Sequence, residues 1–136
     1  MANKTKKRAN SFNTGVAAES FVLSQLYRLE KEAYVSQGNK KTVDIRVVIS
    51  HKKAISIDVK AVRGYSSLVV NNVKSQKNHF IAFVIYHNKF KDLEQFPSVY
   101  IVPSGKVPEI TKQWKNEKRV MKTDLEKYLN NWESLC

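Results

Sequence analysis

The run Phe80-Ile81-Ala82-Phe83-Val84-Ile85-Tyr86 constrains the fold more than any other stretch of this chain. Seven apolar residues without alternation read as a β-strand covered on both faces. The run is far too short to cross a bilayer, which takes about 20 apolar residues. A strand buried on both sides needs a layer above it and a layer below.

The flanking patterns supply those layers. Asn13 or Thr14 is a suitable N-cap, and from Gly15 to about Lys31 the apolar residues Val16, Leu23 and Leu26 recur at helical spacing. Ala33 to Gln37 reads as a short strand closed by the turn-like Gln37-Gly38-Asn39. Thr42 to Ser50 and Lys53 to Lys60 are β-branched and alternating, with His51-Lys52-Lys53 as a tight turn, and form a hairpin. Arg63 to Ser67 is loop, and Asn71 to Asn78 is expected to hold a short polar helix. Ser98 to Val102 is a further strand, stopped by Pro103. Thr123 and Glu126 form a capping box opening a C-terminal helix whose inner face is Leu125, Tyr128, Leu129 and Trp132. The expectation is a mixed α/β structure, with a central mixed sheet flanked by helices. Residues 1–10 carry Lys4, Lys6, Lys7 and Arg8 with no acid and are expected to be a flexible basic arm, and 11–136 a single domain.

Charge narrows the partner. With 24 Lys and Arg against 12 Asp and Glu, the 136-residue chain carries a formal +12. Such an excess points to a polyanion, and to nucleic acid first. A membrane surface would require a basic amphipathic helix or a lipidation motif, and neither is found. The basic start lacks a following apolar segment, so it does not read as a secretory signal. The lone cysteine, Cys136, permits no internal disulfide and makes a cysteine-bound zinc improbable. A cytoplasmic, nucleoid-associated protein is expected.

Several chemistries lose their support. Gly15, Gly38, Gly64 and Gly105 are too scattered for a phosphate-binding loop or a dinucleotide fingerprint, so no nucleotide cofactor is expected. His51, His79 and His87 lack metal-helix spacing, and there is no nucleophile elbow. The acids are more telling. Asp44 opens one hairpin strand and Asp58 ends the other. By the period of two, Ile55, Ile57 and Val59 face one way, while Ser56, Asp58 and Lys60 face the other. Glu19, three residues after Val16 and four before Leu23, falls on the stripe expected to face the core. Unpaired buried carboxylates are expensive, so three near one layer should share a cation or a basic partner, and hard oxygen donors suit Mg²⁺ or Mn²⁺. The plain alternatives are a surface pair for Asp58 and Lys60, a strand-start cap for Asp44 and a solvated helix residue for Glu19.

Hairpin register tests this idea. A two-residue turn pairing Ser50 with Lys53 places Asp44 opposite Val59, and the two aspartates then point to opposite faces. A three-residue turn or a single bulge places Asp44 opposite Lys60 with Asp58 diagonal. A shared site therefore requires an odd turn or a bulge.

Glu19 in Gly15-x-x-x-Glu19, then Asp44, then Asp58-Val59-Lys60 resembles the PD-(D/E)XK nuclease superfamily, the restriction-endonuclease-like fold that includes Holliday-junction resolvases. The resemblance covers about Gly15 to Tyr86 in an αβββαβ order, and Val43 stands where that family often has proline. It implies that Asp44 and Asp58 bind a divalent metal with help from the Val59 carbonyl, and that Glu19 binds a second metal or a metal-bound water. Lys60 would orient the attacking water. Gln76, with Lys74 and Lys77 beside it, and Arg63 and Ser66 after the site, are candidate nucleic-acid contacts. Trp114 and Trp132 read as packing residues, and the basic run Lys112, Lys115, Lys118, Arg119, Lys122 as a nucleic-acid-facing surface or a solvated helix face. The expectation is a Mg²⁺-dependent DNA endonuclease, with Mn²⁺ able to substitute. Branched or structured DNA is within its range, and a homodimer would give two sites for two strands. The alternative is a non-catalytic nucleic-acid-binding protein of the same fold.

Overall fold

A computed structural model describes residues 2–36, 44–64 and 66–136, with side chains from residue 11 onward. Helix α1 (Ala2–Arg28) leads into β1 (Glu32–Val35), β2 (Ile45–Ser50) and β3 (Lys53–Val62). A crossover carrying the short β4 (Ser67–Val69) returns to β5 (His79–Ile85), which turns back through β6 (Ser98–Pro103). A 3₁₀ turn (Ser104–Lys106), a one-turn helix α2 (Val107–Ile110), the strand pair β7 (Thr111–Trp114) and β8 (Glu117–Met121), and three further short 3₁₀ turns complete the chain.

The strands form two sheets. Five lie in the order β1-β2-β3-β5-β6, and three in the order β4-β8-β7. Pairing is antiparallel except between β3 and β5, which run parallel, so the large sheet is mixed. The Phe80–Tyr86 run occupies β5 and the residue after it, and Ile81 to Ile85 are completely buried, as its composition demands.

Alternation along β3 and β5 sorts the core into two layers. On one face Ile55, Ile57, Ala82, Val84 and Ile101 pack against Ala18, Val22 and Leu26 of α1. On the other face Ile81, Phe83, Ile85, Tyr100 and Val102 pack against Leu68 and Val120 of the small sheet, with Val62 at the margin. Asp58 and Lys60 share parity with Val62. The small sheet is thus the layer on their side, and α1 the layer on the other.

Several local expectations are corrected. The buried stripe of α1 is Thr14, Ala18, Val22 and Leu26, rotated from the one the sequence suggested, and Val16 is 48% exposed. The helix begins at Ala2, so Asn13 and Thr14 lie inside it and do not cap it. Residues 71–78 form turns instead of a helix. Ser104 Oγ accepts the Gln76 N–H at 2.9 Å and donates to its carbonyl at 3.0 Å, and Asn78 has φ 55°, both incompatible with a helical ladder there. The C-terminal helix is replaced by 3₁₀ turns at Lys122–Asp124, Glu126–Tyr128 and Trp132–Leu135. Asn130, at φ 52°, gives its N–H to the Val99 carbonyl of β6, which ties the chain to the sheet before a helix can propagate. Leu125 and Tyr128 are buried as expected, whereas Leu129 is exposed. The turn expected at 37–39 and residues Thr42, Val43 and Tyr65 lie outside the described residues. Among the described residues, no helix is long and apolar enough to cross a membrane.

Candidate active site

The site is built where β2 begins and β3 approaches its end. Ser50 pairs with Lys53 across a two-residue turn, but the register slips between Val48 and Ser50, and from there Val48 faces Ala54 and Ile45 faces Ile57. A bulge is therefore present, as a shared site requires, but it shifts the register the opposite way from the one considered. Asp44 is brought opposite Asp58 instead of Lys60. A one-residue slip moves every side chain of a strand to the other face, and here it puts both carboxylates on one face.

Backbone and side chain interlock at this point. The Asp44 N–H reaches the Ile57 carbonyl at 3.2 Å and Asp58 Oδ1 at 3.1 Å. In return, Asp44 Oδ2 accepts the Val59 N–H at 2.7 Å. Each aspartate is held by the backbone of the other strand. The Asp44 carbonyl accepts the Ser36 N–H at 2.9 Å, so the main chain is tied to both neighbours.

Behind the pair stands a residue that sequence reasoning passed over. His79, the first residue of β5, has a side chain only 1% exposed, and its Nε2 lies 3.3 Å from Asp58 Oδ2. Its Nδ1 lies 2.7 Å from Ser56 Oγ. The parallel register sets Ser56 beside His79, so Ser56, Asp58 and His79 share one face. The only signal in the sequence was a histidine abutting a fully buried strand.

The Asp58 carboxyl is pushed above the ordinary carboxylate range. Burial is the largest cause, and the negative charge of Asp44 acts the same way. His79, the Asp44 N–H and the Lys60 ammonium oppose it. Two carboxylates face to face in a half-buried setting, with only partial compensation, form a place where a cation is favoured.

The structure thus brings together Asp44, Asp58, Val59 and Lys60. Glu19 is half-buried on α1, which packs on the opposite face, and is not among the charges acting on Asp58. Arg63 donates from Nε to Thr14 Oγ1 at 2.7 Å and stacks 3.8 Å over the Phe90 ring, which pins it between α1 and the loop after β5. Ser66 is exposed, and its carbonyl accepts the Lys122 N–H. Lys74, Gln76 and Lys77 are exposed on the loop that leads into His79. That loop is held to the body by Ser104.

No protein-family model matches the sequence, and no curated protein matches it. A solved structure does: the bacterial homing endonuclease I-Ssp6803I aligns over 90% of this chain and 88% of its own, with TM-score 0.63 and 10% identity. The chain shares its fold with a homing endonuclease. At that identity the likeness concerns the arrangement of helices and strands, and the chemistry has to be argued from this chain's own residues.

The donor set can be tested against a metal. Two aspartates and a backbone carbonyl are hard oxygen ligands, and Mg²⁺ is ordinarily held by one or two carboxylates, with water and phosphate completing its shell. Among the described residues no group of three or more His, Cys, Asp or Glu side chains gathers to hold a metal. The fit is therefore to an open site for a hydrated Mg²⁺ and not to a closed cage.

Proposed function

We propose that this protein is a DNA endonuclease of the PD-(D/E)XK type, built on a restriction-endonuclease-like core, which hydrolyses phosphodiester bonds with a divalent metal. The observation that carries the reading is the reciprocal clasp of Asp44 and Asp58 on the face that also presents Lys60. In a chain of net +12, whose fold is that of a homing endonuclease, this arrangement suits a phosphodiester.

Asp44, Asp58 and the Val59 carbonyl would hold Mg²⁺ or Mn²⁺. The Val59 N–H points to Asp44, and in an extended strand the carbonyl of the same residue points to the same side. When bound, such a metal polarises the phosphoryl oxygen and lowers the pKa of coordinated water. The chain's own residues do the rest. The two backbone-to-carboxylate bonds fix both aspartates before substrate arrives, so little reorganisation is needed on binding. Lys60 supplies positive charge on the same face, where it can orient a water and offset charge gathering on the phosphoryl oxygens. Glu19, on the helix that covers the other face of the sheet, is not part of this ligand set, and Arg63, Ser66, Lys74, Gln76 and Lys77 are proposed as contacts to the DNA backbone. One such site cuts one strand, so double-strand cleavage calls for a homodimer.

Cleavage of supercoiled plasmid and of a branched DNA junction, with Mg²⁺, Mn²⁺ or EDTA, tests the proposal. Wild type should nick or linearise DNA only with metal. Lys60→Ala should lose at least about a hundredfold in rate while still binding DNA. Metal-independent behaviour with tight, salt-sensitive binding would instead favour a non-catalytic binding protein.

A further inference from the structure

The β7–β8 ribbon is largely exposed and carries a cationic surface. Lys112, Gln113, Trp114, Lys115, Asn116 and Lys118 are all exposed, and only Val120 is wholly buried. Pairing is regular from Thr111 opposite Val120 to Trp114 opposite Glu117, which leaves Lys115 and Asn116 at the tip. Trp114 is 48% exposed beside that tip, against a shallow hollow of about 430 Å³ lined by Trp114, Lys115, Asn116, Glu117 and Arg119. An indole at this position presents a flat apolar face together with a polar N–H, which suits contact with a partner that is part apolar and part polar.

The charges are distributed unevenly. Glu117 is tied to Arg119 at 2.8 Å and Lys112 to Asp124 at 3.5 Å. Among the described residues no acid pairs with Lys115 or Lys118. The Lys118 main chain is fixed, since its N–H is accepted by Asn71 Oδ1 at 2.7 Å and its carbonyl accepts the Val70 N–H at 2.8 Å. Two ammonium groups thus stand on a hydrogen-bonded two-stranded frame.

Position completes the argument. The ribbon belongs to the sheet that packs on the Asp58 and Lys60 face, and Arg119 Nη1 donates to Ser67 Oγ of β4, the strand that follows the site strand in the chain. Two strands about 4.8 Å apart, with side chains, match the ~12 Å width of a major groove. The register sets Trp114 on one face of the ribbon and Lys118 on the other, with Lys115 at the tip. An acidic protein would satisfy the lysines equally well, but cations on both sides of a narrow ribbon, with an aromatic beside its tip, suit a groove walled by phosphates.

We propose that the β7–β8 ribbon is a DNA-docking arm, in which Lys115 and Lys118 contact phosphates and Trp114 packs on sugar or base. The inference rests on the reading of the chain as a DNA-cutting protein, but it concerns binding alone. It is tested by anisotropy of a labelled short duplex of mixed sequence in EDTA, between about 50 and 200 mM KCl. The proteins compared are wild type, Lys115→Gln with Lys118→Gln, Trp114→Ala, Trp114→Phe, and a control pair Lys52→Gln with Lys53→Gln on the β2–β3 turn.

The ribbon lysine pair should weaken binding about tenfold and flatten the slope of log K against log salt by about 1.8, or 0.9 per lost phosphate contact. Trp114→Ala should weaken binding about tenfold and Trp114→Phe much less. Equal losses in ribbon and control pairs would mean that net charge alone binds, and would overturn the proposal. Unchanged binding in the ribbon variants would overturn it and leave the nuclease reading standing. Lost binding in those variants, in a protein that cuts nothing with Mg²⁺, would support the arm and sink the nuclease. No wild-type binding at any salt would sink both. Matching thermal melts of all the variants would separate a lost contact from a lost fold.

Discussion

Asp44 gives its main-chain N–H to the carboxylate of Asp58 at 3.1 Å, across 14 residues of sequence and one strand spacing. The return bond runs from the Val59 N–H to Asp44 Oδ2 at 2.7 Å. Neither carboxylate can be repositioned without releasing the other strand, so the pair is coupled mechanically as well as by charge.

Asp58 should cost the metal-free protein stability at neutral pH. Its folded pKa is raised above the ordinary 3.8, so the folded state binds the proton more tightly than the unfolded chain. Stability is then greatest below 3.8 with respect to this group and falls as pH rises through the window above it. Asp58→Asn in EDTA should melt higher than wild type at pH 7. That advantage should vanish near pH 3.

Metal should reverse that order. A cation held between Asp44 and Asp58 binds only the folded protein, and at about a hundred times its Kd it adds ~2.7 kcal/mol. Millimolar Mg²⁺ should raise the melting temperature of wild type and leave Asp58→Asn and Asp44→Asn unmoved. Calorimetry with and without EDTA reads this directly. Equal shifts in all three proteins would place the metal elsewhere.

His79 is expected to support the site from behind. Truncation to Ala strands the Ser56 hydroxyl and removes a neighbour of Asp58 from a side-chain position that is itself 1% exposed, at a cost of about 2–4 kcal/mol. His79→Asn keeps a polar group in the pocket and should cost less. Denaturant unfolding ranks the two variants, and plasmid cleavage in Mg²⁺ should fall in the same order.

His87 sets a second pH dependence. Burial, and then the Lys122 charge, hold its imidazole below the ordinary 6.5, while its Nε2 sits 2.7 Å from Ser98 Oγ. A depressed histidine favours the folded state when neutral, so that contribution is present above 6.5 and is lost as pH falls below it. His87→Asn, which tolerates the local φ of 55°, should flatten the fall in melting temperature between about pH 7 and 5. An unchanged slope would assign the effect to other groups.

What could be read from the sequence followed periodicity. The two-faced strand β5, the β2–β3 hairpin and the opposed faces of Ile57 and Asp58 all follow from alternation and composition, which act within a few residues. The direction of the bulge could not be read, because Ile49 can be looped out without changing the apolar pattern on either side of it. The helix expected over 71–78 failed for a tertiary reason: Ser104, distant in sequence, captures both polar groups of the Gln76 backbone. The β7–β8 ribbon was hidden because Lys, Gln, Glu and Arg are weak strand formers, and its strands exist through pairing with β4. His79 became part of the site through a parallel pairing that no local signal announces.

The small sheet joins chain segments made at very different times. Leu68 pairs with Val120, whereas the β2–β3 pairing closes over a two-residue turn. Loop-closure entropy delays such distant pairing, so the aspartate-bearing hairpin should form early and the ribbon should dock last. The same hierarchy persists at equilibrium, where the last element to form is the first to open. Amide protons of β7 and β8 should therefore exchange through local openings, at rates insensitive to denaturant, while those of β3 and β5 wait for global unfolding. The catalytic frame would then stay rigid as the part that meets a long polymer yields and re-forms along it.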